Sequence, residues 1–154
     1  MIIMICAAVL IGIVAGLRAM TAPAIVSLAA AYGFLGTVWG WVGFMEKPWV
    51  SWLFTVLALG ELVTDQLPST PSRKVPIQFA ARILMGGLAG ATIGASSVSL
   101  LYGLAAGVVG AVIGTFGGAS ARGALARAFG NDRPAAFIED AIAIALGVAA
   151  ISIL

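Results

Sequence analysis

The sequence predicts an all-α fold, a polytopic transmembrane helical bundle of about five spans, and three observations carry that prediction. Of 154 residues, 62% are hydrophobic and only 9% are charged, whereas a soluble domain carries roughly 25% charged residues to wet its surface. No charge at all occurs in residues 2–17, 19–45, 48–60, 83–121 or 141–154. Runs of that length match the roughly 20 residues of helix needed to cross a hydrocarbon core about 30 Å thick. The mean hydropathy is +1.13. At about 150 residues per unit, residues 1–154 are expected to form a single transmembrane domain.

The first segment runs from Ile2 to about Gly33. Ala22 and Ala24 mimic a leader cleavage site, but no positive residue precedes the apolar run and Arg18 follows it, so a retained helix is expected. As one straight helix the segment would extend about 48 Å. Pro23 removes an N–H and clashes with the carbonyl four residues back, so the helix either tilts and protrudes or breaks near Arg18–Pro23. Residues 34–48 are aromatic and glycine-rich. The four tryptophans, Trp39, Trp41, Trp49 and Trp52, gather here and at the start of the next segment, as in a belt at a membrane–water interface.

A second segment, about Trp49–Leu67, ends where Pro68, Pro71 and Pro76 fall close together. The third spans about Ile77–Ala95 and turns at Ser96–Ser99. The fourth, about Leu100–Phe129, is again overlong, and an interruption is expected at Thr115–Ser120. Gly130 provides a helix stop and Pro134 a helix start, from which the fifth segment continues. Arg73, Lys74, Arg127 and Arg133 fall on one side of a five-span chain and Lys47 on the other. The excess of positive charge on cytoplasmic loops then puts the N-terminus in the cytoplasm and the C-terminus outside.

Glycines recur at four-residue spacing: Gly12 and Gly16; Gly86, Gly90 and Gly94; Gly103 and Gly107; Gly110, Gly114 and Gly118. Each set makes one small-residue stripe that lets helix backbones approach closely. Packing within one subunit and assembly of a homodimer are both open readings of these stripes. An inverted repeat of residues 1–75 and 76–154 is a further expectation. It pairs Arg18 and Thr21 in segment one with Ser120 and Arg122 in segment four, and Glu61 and Asp65 with Glu139 and Asp140. On this reading segments one and four run antiparallel, and their breaks place a site near the bilayer midplane.

Glu61 and Asp65 are four residues apart and share a helix face. Deep in a bilayer such charges are costly unless paired or hydrated, and Arg18, Arg82 and Arg122 are the candidate partners. Interhelical ion pairing and an ion- or proton-binding pathway are the two competing readings. Arg18 and Arg122 are expected to clamp an anionic group in bidentate fashion, aided by Thr21, Ser120 and the free N–H groups of a half-helix starting near Pro23. For Glu139 and Asp140, a site role competes with a favourable position near a helix start. Arg73 and Lys74 are candidate contacts for lipid headgroups, against ordinary turn chemistry.

The net charge of +2, with basic residues scattered, is unlike a nucleic-acid-binding surface. A single cysteine, Cys6, forms no intrachain disulfide. With no histidine and one cysteine, zinc, haem and iron–sulfur centres lack their usual ligands, and no cofactor is expected. A hard-cation site made of carboxylates stays open.

The strings GLRAMTAPA (16–24), GELVTDQLPSTPSR (60–73), GGASARGALARAFG (117–130) and AAFIEDAIAI (135–144) resemble the bacterial membrane-protein family called domain of unknown function 4126. The resemblance covers nearly the whole chain. It implies a polytopic helical protein, with a bacterial inner membrane as its place, and no particular activity. The residues themselves favour a small transporter or channel-like permease that binds a small ion or anionic solute. A membrane-embedded enzyme acting on lipids or lipid phosphates, and a non-catalytic subunit of a larger membrane complex, are the alternatives. No nucleophile constellation favours the enzyme.

Overall fold

Apolar residues without proline or polar punctuation leave the backbone no partner but itself, and the chain is helical nearly throughout. The computed structural model describes residues 1–65, 75–97 and 99–154. Among them the elements are α1 (Ile2–Leu17), α2 (Thr21–Ala31), a 3₁₀ helix (Gly40–Glu46), α3 (Pro48–Thr64), α4 (Pro76–Ser97), α5 (Leu100–Phe129) and α6 (Asp132–Ser152), with no strand. Helices α4, α5 and α6 are long and apolar enough to cross a membrane, while α1, α2 and α3 are shorter apolar helices. The proline-rich turn, with Arg73 and Lys74, lies outside the described residues.

Of the two outcomes open for the first segment, tilting or breaking, it breaks: α1 stops at Leu17 and α2 starts at Thr21. Arg18 leaves the helix in an extended conformation (φ −139°, ψ 108°). Pro23 then sits in the first turn of α2, where its missing N–H deprives no carbonyl of a partner. Helix α2 closes at Gly33, whose φ of 79° suits glycine. The N–H of Phe34 reaches back to the Ala29 carbonyl at 2.8 Å, the longer bond of a Schellman turn.

Glycine contacts fix the direction of the helices. A Cβ on Gly12 would lie 2.9 Å from Gly110 Cα, and one on Gly16 would lie 2.5 Å from Thr115 N, so α1 and α5 run parallel. A Cβ on Gly86 would lie 2.7 Å from Ala111 Cβ, and one on Gly94 would lie 2.9 Å from Gly103 Cα, so α4 runs antiparallel to α5. The glycine stripes thus pack α1, α4 and α5 backbone to backbone within one chain. Around them sit small or branched residues with no exposed surface, among them Ala8, Ile11, Val14, Ala15, Ala89 and Ile93.

Helix α2 turns back on α1. Arg18 meets Asp140 and Ile25 meets Gly147, so α2 runs parallel to α6. A Cβ on Gly36 would approach the Ser96 carbonyl, and one on Gly40 the Leu100 side chain. Residues 36–40 have therefore returned to the end of the bundle from which α1 set out. At 16 and 11 residues, α1 and α2 are about 24 and 17 Å long, and they form a hairpin that enters and leaves at one end.

Three expectations are corrected by this arrangement. Helix α5 is continuous through Thr115–Ser120 over its 30 residues. The Thr115 and Ser120 hydroxyls donate to the Ala111 and Phe116 carbonyls at 2.8 and 3.0 Å, within the helix they were expected to interrupt. Its glycines weaken helix propensity, but close contact with α1 and α4 holds Gly103, Gly107, Gly110 and Gly114. Helix α1 runs parallel to α5 and α2 antiparallel to it, so segment one is a hairpin and not a single broken helix set antiparallel to segment four. Finally, the hairpin brings Ile2 and Ser152 to the same end of the bundle, where five simple spans would separate them.

The outside of the bundle is apolar. Trp52, Val56, Leu59 and Val63 of α3 and Val109, Ile113 and Phe116 of α5 are exposed, as are Trp39, Trp41 and Trp49 beside the 3₁₀ helix. An apolar exterior around a small-residue interior is what a lipid solvent selects.

Candidate functional site

The hairpin turn, residues 18–20, carries both open helix ends into the interior, and charged side chains from neighbouring helices close them. A helix C-terminus leaves carbonyls without partners and carries partial negative charge. Arg82, on α4 and 3% exposed, places its guanidinium there, donating to the Gly16 and Leu17 carbonyls at 2.8 and 2.7 Å. The N-terminus of α2 has the opposite need. Glu61, near the end of α3, accepts from the Ala19 and Met20 N–H groups at 2.8 Å each. The α2 N-terminus, expected to bind an external anion, thus holds the chain's own carboxylate.

Arg18 is wholly buried. Its guanidinium is held between Asp65, just past the end of α3, and Asp140 of α6. Arg122 of α5 makes a second bridge between the same helices. Its Nε and Nη2 donate to the two carboxylate oxygens of Asp132 at 2.9 and 2.5 Å. Its Nη1 lies 3.3 Å from Glu139 and 3.9 Å from Asp65. Asp65 therefore stands between two guanidiniums, each also held by a carboxylate of α6. Ionic contacts of this kind offset the cost of placing charge in an apolar bundle, and removing one partner strands the other.

Six of the residues expected at a site come together here: Arg18, Glu61, Asp65, Arg122, Glu139 and Asp140. Thr21 joins them in the turn, 5% exposed, with a buried hydroxyl that has no hydrogen-bond partner among the described residues. Ser120 does not, since it is exposed and bonded within α5. Arg73 and Lys74 fall outside the described residues. No group of three His, Cys, Asp or Glu side chains among the described residues is arranged to hold a metal ion.

Two participants were not singled out as site residues from the sequence. Arg82 was marked only as a candidate ion-pair partner, although a lone arginine near the start of an otherwise apolar helix was the available signal. Asp132 was read as part of a turn. It opens α6 behind Asn131, whose side chain accepts from the Arg133 N–H at 3.1 Å. Of the chain's six acidic residues, only Glu46 stands apart, accepting from the Val38 N–H at 2.7 Å.

An apolar-surfaced helical bundle with a charge cluster at the tip of an internal hairpin defines a class, that of helical membrane proteins with a polar centre. The chain belongs to the family described as "Domain of unknown function (DUF4126)", whose profile matches residues 5–153. No curated protein and no solved structure matches it.

Proposed function

We propose that this protein is a small permease in which protons, or a small cation, pass through the charge centre at the hairpin tip. The observation that carries the reading is Arg18, completely buried and shared between Asp65 and Asp140 on separate helices. A guanidinium keeps its charge at any accessible pH, whereas a carboxylate can take up a proton and release its partner. Two carboxylates competing for one fixed cation therefore make a pair of exchangeable states, and each exchange loosens α3 or α6 from the hairpin. Protonation of Asp65 also frees one contact of Arg122, which ties the second bridge to the first.

Anion binding, the other role expected of Arg18 and Arg122, has less support, because both guanidiniums are engaged by carboxylates and the α2 N-terminus by Glu61. The end of the bundle that holds the α5–α6 turn carries Arg127 and Arg133, and Lys47 lies at the opposite end, before α3. That bias favours this end as cytoplasmic, with both chain termini outside. This orientation differs from the one a five-span count implies.

The test is proton flux in proteoliposomes loaded with a pH-sensitive dye and driven by a potassium diffusion potential. Wild-type protein is expected to acidify the lumen faster than protein-free vesicles. Asp65→Asn is expected to return the rate to the protein-free level while leaving the elution volume and helical signal of the purified protein unchanged. Wild-type vesicles as tight as protein-free ones to protons, sodium and potassium would overturn the proposal. They would leave the cluster as a set of interhelical ties.

A further inference from the structure

The turn that joins α1 to α2 contains two buried polar groups left over by the ion pairs. Arg18 uses its two terminal nitrogens on Asp65 and Asp140, while its Nε–H, buried in the same plane, has no hydrogen-bond acceptor among the described residues. The hydroxyl of Thr21, first residue of α2, is buried and equally without a partner. Buried polar groups are bonded in native proteins by the chain or by ordered water, and an orphan is costly. Two such groups three residues apart, one a donor and the other a donor and acceptor, mark a place where a small polar ligand is bound.

Its chemistry is set by the surroundings. The ligand must accept from Arg18 Nε–H, so a metal cation does not suit. Three carboxylates, Glu61, Asp65 and Asp140, serve the same turn, which disfavours an anion. A neutral molecule that both accepts and donates fits. We infer that the hairpin turn binds a water molecule, held by Arg18 Nε–H and the Thr21 hydroxyl, with the Glu61 carboxylate as a further acceptor. An ionised carboxylate offers about four lone-pair sites, and Glu61 uses two on the amides of residues 19 and 20.

This inference rests on the proton-permease reading and deepens it, because the water supplies the relay between carboxylates. A carboxylic acid in the cluster gives its proton to the water oxygen, and the water gives one of its own protons to a neighbouring carboxylate. The water is regenerated, and Arg18 keeps its charge throughout. Thr21 then acts as a positioning residue for the water.

Two measurements separate the inference from the function it rests on. In the proteoliposome assay, Thr21→Val, which keeps the shape and loses the hydroxyl, is expected to lower proton flux by about tenfold, the factor matching one lost hydrogen bond. Thr21→Ser is expected to stay within about twofold of wild type. Flux through Thr21→Val equal to that of an active wild type overturns the relay. The second readout needs no transport: hydroxyl radicals generated by brief X-ray exposure of detergent-solubilised protein label side chains beside bound water. Met20 is expected to be labelled in wild type and Thr21→Ser, and about fivefold less in Thr21→Val. Equal Met20 labelling in all three removes the water site even if protons flow. Loss of labelling in Thr21→Val with no wild-type flux keeps the site and rejects the permease.

Discussion

Gly16→Ala is the substitution that most directly tests how the hairpin is held. An alanine Cβ at this position would lie 2.5 Å from Ala111 O, 2.5 Å from Thr115 N and 2.6 Å from Gly114 C, all backbone atoms of α5. Ordinary contact begins near 3.4 Å, so the α1 and α5 backbones must separate by about 1 Å, with no flexible side chain to absorb the change. Overpacking of this kind costs about 1–3 kcal/mol, against a helix-propensity gain of about 1 kcal/mol for replacing glycine. Gly117, where an added Cβ meets nothing within 4 Å, supplies the control, since Gly117→Ala collects the propensity gain alone. The difference between the two variants is therefore the packing term, about 1–3 kcal/mol. Unfolding by titration of a harsh detergent into a mild one, followed by circular dichroism, measures it. If Gly16→Ala is as stable as Gly117→Ala, the backbone contact between α1 and α5 does not hold the turn, and the geometry of the charge centre built on it fails too. The same shift would move the Gly16 carbonyl away from Arg82, so a loss of flux larger than the loss of folded protein is also expected.

Arg18→Met removes a buried cation and leaves Asp65 and Asp140 facing each other across the turn, so a loss of about 3–5 kcal/mol is expected in the same titration. Adding Asp140→Asn to it should recover part of that loss, and a strictly additive double variant would mean that the two residues do not interact. Glu61→Gln keeps one acceptor oxygen for two N–H donors and should cost about 1–3 kcal/mol. Glu61→Leu should cost more, and equal stability of all three forms would deny Glu61 its place at the start of α2. In a Cys6→Ala background, Met1→Cys and Leu154→Cys should react with a membrane-impermeant maleimide from the same side of sealed vesicles. Labelling from opposite sides would mean that α1 and α2 do not form a hairpin.

The sequence was readable wherever one residue dictates its own local structure. Pro23 and Arg18 marked where the first segment would break if it did not tilt, Gly130 a stop, and the four-residue glycine spacing a set of backbone contacts, and each of these has a local cause. The direction in which the chain leaves the break was not readable. Pro23 disfavours one continuous helix over residues 17–23, but the reversal is fixed by Glu61 and Arg82, which arrive from α3 and α4. The error in α5 has the opposite origin. Gly117 and Gly118 beside Ser120 look like an interruption in isolation, yet α5 is pinned to α1 and α4 at Gly103, Gly107, Gly110 and Gly114 and runs on as helix through Gly117, where an added Cβ would meet nothing. In the charge centre, the acidic partners of Arg18 could be shortlisted because so few charges are present. Which acid met which base depended on helix directions, and these followed from the hairpin.

The hairpin also sets an order of events during synthesis. Its turn exposes the carbonyls of residues 16 and 17 and the amides of residues 19 and 20 until Glu61 and Arg82 reach them, and α5 must arrive before Gly12 and Gly16 find their contacts. Helices α1 and α2 thus leave the ribosome before the partners that complete them. Until α5 has been made, the glycine face of α1 has the membrane surface or the insertion machinery to shelter it.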